Sequence, residues 1–295
     1  MKDFQPVICI ALTMGALALH AAPVPATESA SPKIPTSKYK HADRLRPRPT
    51  VVIPPTASTQ DTPGQPPSDA IVLFDGRDLA KWARWDPRAT NDLSKPAPWI
   101  IRDGFAEVAR GTIQTREKFS NCHFHLEWRT SPEEAALEDK DFDQHRGNSG
   151  VFIGDHPEIQ VLDSYENDTY PDGQAAAIYS AWPPKVNASR KPGEWQSYDI
   201  FYVAPQFQNG AKVKNATYTV LHNGLPVHLN TEVSGDEVEG RLRLQAHGGK
   251  VHYRNIWVRP LHQYDENEGK PLPPGARTAN PFPRKPASST NSAKP

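Results

Sequence analysis

Three short stretches of this 295-residue chain put polar side chains where packing alone would not ask for them. In Glu158-Ile159-Gln160-Val161-Leu162-Asp163, the strand period of two sends Glu158 and Gln160 to one face and Ile159 and Val161 to the core. Asp163 joins the polar face only through a bulge or at the strand end. In the run from Arg241 to His247, the residues Arg241, Arg243, Gln245 and His247 share one side. The third stretch, Arg146-Gly147-Asn148-Ser149-Gly150, leads into the apolar Val151-Phe152-Ile153. A sheet face carrying a carboxylate, carboxamides, an imidazole and guanidinium groups suits a groove for hydroxylated ligands. The same residues would also serve as the solvent side of half-exposed strands.

Strands must position these groups. Between residues 70 and 262 helical periodicity is nearly absent, and short alternating runs recur with turn residues between them. In 121–129, Cys122, Phe124, Leu126 and Trp128 share one face and His123, His125, Glu127 and Arg129 the other. Residues 194–203 read as a long strand. Asn223-Gly224, between 217–222 and 225–229, is a strong hairpin signal. Residues 241–247 and 250–259 read as a last hairpin around Gly248-Gly249. So many strands over this length imply an all-β fold, a two-sheet β-sandwich or jelly roll.

Composition separates the ends from the middle. Eleven of the 31 prolines fall in 23–67 and seven in 271–295, so both ends read as extended, disordered Pro-rich segments. The ends are net basic (+3 over 27–68, +2 over 263–295), which leaves the middle near −5 in a chain of zero formal charge. A mildly acidic domain without a basic stripe excludes a nucleic-acid binder. Val7–Leu19 is an apolar run of thirteen residues followed by Ala21, Ala22 and Ala26. It is too short to span a bilayer and suits a signal-peptide core. The reading is therefore a signal peptide over 1–26, a Pro-rich linker over 27–68, one folded domain over 69–262 and a Pro-rich tail over 263–295. Export to the periplasm or beyond follows, with no membrane span after cleavage and with surface or cell-wall contact through the Pro-rich segments. Cleavage removes Cys9 and leaves Cys122 as the single thiol, so no intramolecular disulfide supports the fold.

LFDG at 73–76 followed by Trp82, GNSGVFIG at 147–154, EIQVLDSY at 158–165 and IYSAWPP at 178–184 appear in that order. NASRKPGEWQSYDI at 187–200, HNG at 222–224, LQAHGG at 244–249 and VHYRNIWVRPL at 251–261 follow. Over 71–261 this set resembles the 3-keto-disaccharide hydrolase domain family. The resemblance implies a concanavalin-like jelly roll, an exported setting and hydrolysis of glycosides oxidised to a ketone at the third carbon of the sugar. Such a ketone acidifies the adjacent C–H, so a base could remove that proton and expel the glycosidic oxygen, with water added afterwards. That route needs a base, an acid and donors to the developing enolate oxygen. Glu158 or His247 fits the base, Asp163 or His247 the acid, and Gln160, Gln245 or Asn148 the hydrogen-bond donors. Arg146, Tyr179 and Trp182 complete the substrate-binding set, the aromatics by stacking on sugar rings. The layout also resembles laminarinase-type glucanases, with Gln160 standing where those enzymes carry an acid. A non-catalytic, lectin-like carbohydrate-binding module is the alternative, and a structural adhesion domain on a Pro-rich stalk is a third reading.

No cofactor is required by these residues, and a divalent metal stays open. Asp139–Asp143 imitates the start of a calcium loop, but its sixth position is Gln144 and its twelfth Gly150. His145 and His156 could join Glu158 or Asp163 around a metal, and His123-x-His125 lacks a nearby third ligand. Glu127 is expected as an uninvolved acid on a strand face.

Overall fold

A computed structural model describes residues 39–44, 46–131, 133 and 144–261. The expected signal peptide, the Pro-rich tail over 263–295 and the calcium-like run 139–143 lie outside the described residues. The chain divides into two compact units at Arg46/Pro47. In the first, Asp43 N donates to Lys40 O at 3.2 Å in a short turn. The second carries the fold.

That fold is all-β. Among the described residues its regular elements are fifteen strands and a 3-10 turn at Pro171–Gly173. The larger sheet holds β3 (Ile100–Arg102), β4 (Phe105–Glu107), β15 (Val251–Pro260), β6 (Cys122–Thr130), β9 (Gln196–Val203), β12 (Ala216–His222) and β13 (Leu225–Val233), in that spatial order. Strand β1 (Ile71–Phe74) also pairs with β15. The second sheet runs β2 (Trp82–Arg84), β5 (Ile113–Thr115), β14 (Leu242–Leu244), β7 (Ser149–Ile153) and β8 (Ile159–Val161). Strands β10 (Gln206–Gln208) and β11 (Ala211–Lys214) make a separate ribbon. No helix among the described residues is long and apolar enough to cross a membrane.

Alternation places the core between the sheets. Phe124, Leu126, Trp128, Tyr198, Ile200, Tyr202, Tyr218 and Val220 from the larger sheet meet Ile113, Val151, Ile153, Ile159, Val161, Leu242 and Leu244 from the second, and all are fully buried. Buried tyrosine hydroxyls tie the layers together: Tyr198 Oη donates to Gln160 O at 2.8 Å, and Tyr253 Oη lies 2.7 Å from Ser149 Oγ. Cys122 is buried and free, and burial pushes its thiol up to about 12. The β12–β13 hairpin turns at Asn223 (φ 52°) and Gly224 (φ 79°), where two successive left-handed residues match the twist of the strands.

Two sequence expectations change. The last pair of strands is not a hairpin: β14 bonds to β5 and β7 in one sheet, whereas β15 bonds to β6, β4 and β1 in the other. Gly248-Gly249 is the crossing between layers, and a side chain on Gly249 would press on the backbone of Gly147 and Asn148. Part of the expected linker is laid down on the larger sheet. Over 56–65 a loop closes on itself, with Thr56 N donating to Gln65 O at 3.1 Å and Gly64 N to Ser58 Oγ at 2.6 Å. Gln60 pairs both ends of its amide with the Trp195 backbone, at 3.0 and 2.6 Å. Proline and threonine content reads as linker, but these side-chain bonds to the folded domain hold the segment in place.

Candidate functional site

Strand register decides which side chains leave the core. In the second sheet Val151, Ile153, Ile159, Leu242 and Leu244 point inward, so Gly150, Phe152, Arg243 and Gln245 point outward with Glu158. Gly150 pairs with Gln160, and Gln245 N donates to Gly150 O at 2.9 Å. Glu158 and Gln245 therefore flank the same glycine from neighbouring strands.

The Glu158 side chain lies over Gly150, in the space a Cβ there would take. Its Oε1 is buried without a hydrogen-bond partner. Burial pushes the Glu158 carboxyl up to about 7, because no cation or donor compensates the lost hydration. Gln245 Oε1 is likewise buried and unpartnered. Two buried polar atoms without partners beside one glycine mark the candidate site for a polar ligand. Beside them, Tyr170 Oη and Tyr179 Oη are 2.8 Å apart. Partial burial, the Tyr179 hydrogen bond and the nearby Glu158 charge all hold the Tyr170 phenol above its ordinary range. Tyr179 N donates to Glu158 O at 2.9 Å, fixing this segment against the strand. Trp182 is 56% exposed, so its ring is free to meet a ligand.

Asp163 differs from expectation. It is 1% exposed, with Arg146 Nη2 at 2.7 Å from Oδ2 and Tyr165 N donating to Oδ1 at 3.1 Å. A carboxylate held this way has no free face for proton transfer. Arg146, Asn148 and Gln160 are buried too, at 9%, 6% and 1%. Gln160 Nε2 donates to Asn148 Oδ1 at 3.1 Å and to Val161 O at 2.9 Å, and Asn148 Nδ2 donates to Gln144 O at 2.7 Å. These three residues, expected to bind substrate, are held by bonds within the protein, with Gln160 at the strand position paired with Gly150. His247 lies beyond the end of β14, exposed, with its ring 6.4 Å from that of His145. His156 is elsewhere: its ring nitrogens lie 2.7 Å from Ser234 O and 2.7 Å from Tyr202 Oη, so the proposed His145–His156 metal pairing does not form. Among the described residues no group of three or more His, Cys, Asp or Glu side chains is placed to hold a metal.

Sequence reasoning placed Gly150 in a polar stretch without giving it a role, and it missed Tyr170. The signal for Gly150 was available, because a glycine inside a strand marks a close approach. Tyr170 sits in a loop, where no periodicity points to it.

The candidate site is thus a buried, unpartnered carboxylate on the outer face of one sheet of a two-sheet β-sandwich. The chain belongs to the 3-keto-alpha-glucoside-1,2-lyase-like domain family, whose profile matches residues 69–259. It is 27% identical over 249 residues to a 3-keto-disaccharide hydrolase of Bacteroides thetaiotaomicron, covering 67% of this chain and 81% of that one. Its fold resembles the crystal structure of a candidate glycosyl hydrolase from Parabacteroides distasonis, with a TM-score of 0.64 and 36% identity, over 77% of this chain and all of that one. A second such protein from the same organism, 18% identical with a TM-score of 0.50 over 66% of this chain and 94% of that one, shares the fold.

Proposed function

We propose that this chain is an exported carbohydrate-active enzyme that cleaves the glycosidic bond of 3-keto-glycosides, by elimination followed by hydration. The observation that carries the reading is Glu158: a buried carboxylate with a free oxygen and a pKa near neutrality is suited to accept a proton from carbon. Its family membership and the hydrolase from Bacteroides thetaiotaomicron support the substrate class.

Glu158 takes the C2 proton, which the neighbouring C3 ketone acidifies. The electron pair of that C–H bond becomes the C1=C2 double bond as the C1–O bond breaks. The departing sugar oxygen gains a proton, for which the exposed His247 is the donor. The Gln245 amide, next to the Glu158 carboxylate, donates to the oxygen of the developing enolate. Water then adds to C1 and a proton returns to C2, so the sum is hydrolysis. The apolar run Val7–Leu19 supports the exported location.

The test is incubation of the purified protein with a 3-keto-disaccharide and, separately, with its unoxidised parent. Release of reducing sugar from the keto form alone is expected. Binding of both sugars without turnover would replace this reading with that of a lectin, which needs hydrogen-bond donors and aromatics but no proton acceptor. An arm with EDTA treatment and metal readdition reads whether a divalent ion takes part.

A further inference from the structure

The phenol pair beside Glu158 stands on the side of the carboxylate away from His247. Ile159 and Ile178, both fully buried, form an antiparallel bridge, with Tyr179 N donating to Glu158 O and Gln160 N to Ala177 O, both at 2.9 Å. That register makes Tyr179 the direct cross-strand neighbour of Glu158, and the inward isoleucines turn both side chains to the outer face. On its other flank Glu158 leans over Gly150, to which Gln245 bonds from the end of β14. Tyr179 and Gln245 are thus three strand spacings apart, roughly 14 Å. That gap leaves room for one sugar ring between their side chains. His247 lies two residues beyond Gln245, on the opposite side of the carboxylate from Tyr179.

Tyr179 is held from behind. Its Oη lies 2.8 Å from Tyr170 Oη. Tyr170 comes from a loop that Ser180 N ties back by donating to Asp172 O at 3.1 Å. The Tyr170 ring packs over Gly173, where any Cβ would meet its Cε2. Tyr179 is exposed and Tyr170 half-buried, so Tyr179 is the phenol that faces a ligand. With Tyr170 as the donor of their bond, Tyr179 keeps its own proton for that ligand. The bond it accepts also polarises its O–H, which makes it the stronger donor.

Removal of the C2 proton puts charge on the C3 oxygen. In the sugar ring C1 and C3 flank C2, so a base at C2 leaves the departing oxygen on C1 and the ketone oxygen on C3 on opposite sides of it. His247 stands on one of those sides and Tyr179 on the other. We propose that Tyr179 is a further catalytic residue, donating from Oη to the C3 oxygen as its charge develops, and that Tyr170 positions it. The assignment rests on the functional reading above for the identity of the ring. It makes Tyr179 a hydrogen-bond donor rather than a stacking surface. A carbonyl oxygen has two lone pairs, so Gln245 and Tyr179 together satisfy it.

The experiment follows the C2 proton. The 3-keto derivative of 1,5-anhydroglucitol has an acidic C2–H but no glycosidic oxygen to expel. In D2O, Glu158 takes the C2 proton, the C–H electron pair becomes the C2=C3 bond and the carbonyl π pair moves to oxygen. Reversal delivers a deuteron from the exchanged carboxyl to C2, and NMR reads the loss of the C2–H signal. Wild type should exchange this proton and Glu158→Gln should not. Losing one donor to a developing oxyanion costs about 10²–10³ in rate, so Tyr179→Phe should slow the exchange about a hundredfold. Tyr170→Phe should slow it about tenfold, and the double variant should be no slower than Tyr179→Phe alone, because the two hydroxyls act as one unit. The same factors should appear in kcat on a 3-keto-disaccharide with KM within about threefold, the mark of an interaction made in the transition state. Phenylalanine keeps both rings, so Tm should not change. Exchange and turnover in Tyr179→Phe within about twofold of wild type would remove the phenol assignment and leave the functional reading standing. Losses that multiply in the double variant would overturn the positioning role of Tyr170. Wild-type turnover without exchange, or a rise in KM that accounts for the whole loss, would overturn the donor role of Tyr179. Wild type with neither turnover nor exchange would remove the functional reading itself, and this assignment with it.

Discussion

The Glu158 carboxylate lies across Gly150, occupying the place where any larger residue would put its Cβ. The glycine is therefore a requirement of the site and not only of the strand. Gly150→Ala should displace the carboxylate: the added methyl would overlap Oε1 and come within 2.9 Å of Cγ. A misplacement of this order is worth about a hundredfold in rate. We expect that loss in turnover with strand content unchanged by circular dichroism. Near-native turnover would show that the carboxylate position does not matter.

Asp163 and Arg146 form a buried pair at 2.7 Å beneath the site. Removing one partner leaves a buried charge, which costs about 3–5 kcal/mol. Asp163→Asn should therefore lower Tm by about 10 °C, taking 2–4 °C per kcal/mol for a domain of this size. Turnover per folded molecule should change little. An unchanged Tm with collapsed turnover would return Asp163 to the reacting groups.

On the opposite sheet, Glu127 is 3% exposed and accepts from Arg254 Nε (2.7 Å), Asn255 Nδ2 (2.7 Å) and Ser58 Oγ (2.5 Å). It is not the uninvolved surface acid its strand position suggested. Burial would raise its carboxyl, but hydrogen bonds from His125, Ser58, Asn255 and Arg254 prevail and hold it down at about 2. Burial would likewise lower His125, but its bond to Asp199 and the pull of Glu127 raise it to about 9. A depressed carboxyl stabilises the fold above its usual 4.5 and loses that contribution as pH falls toward 2. A raised imidazole stabilises below its usual 6.5 and loses that contribution as pH rises through 9. The network is therefore at full strength only between about pH 4.5 and 6.5. Glu127→Gln should lower Tm most in that window and flatten the acid limb of the Tm profile. Deleting residues 47–68, which removes Ser58 and the backbone acceptors on Arg254, should lower Tm in the same direction. A deletion variant as stable as the full chain would show that the segment merely rests on the surface.

Glu158 titrates in the opposite sense. Between its usual 4.5 and about 7 the folded protein keeps a proton that the unfolded chain has released, so stability falls as pH rises through that interval. The full difference is at most about 3 kcal/mol. Glu158→Gln should therefore match wild type in Tm at pH 4 and exceed it at pH 8. Equal values at both pH values would mean that the carboxylate is not desolvated.

Much of this was legible in the residues, for physical reasons that differ by element. Alternation in 121–129 and the Asn223-Gly224 turn fixed strands because burial and left-handed φ leave few options there. Glu158 was readable because Ile159 and Val161 determine its direction. Asp163 was misread because sequence spacing cannot show that Arg146, seventeen positions earlier, reaches back to claim it. Strands β14 and β15 read as a hairpin because Gly248-Gly249 permits a tight turn, and only the pairing of β14 with β5 and β7 reveals a change of sheet. The 56–65 loop read as linker because its order comes from Gln60 and Ser58 meeting a distant sheet, with no local pattern to signal it.

The central claim is that Glu158 is the base. The most direct measurement is the pH dependence of kcat/KM on a 3-keto-disaccharide for wild type and Glu158→Gln. Proton transfer by a positioned group is worth about 10²–10⁴ in rate. Wild type should rise roughly tenfold per pH unit below about 7 and level off above it, while Glu158→Gln should fall at least about a hundredfold and lose that rise. A variant that keeps near-native turnover, or a wild-type profile with no inflection near neutrality, would contradict the account.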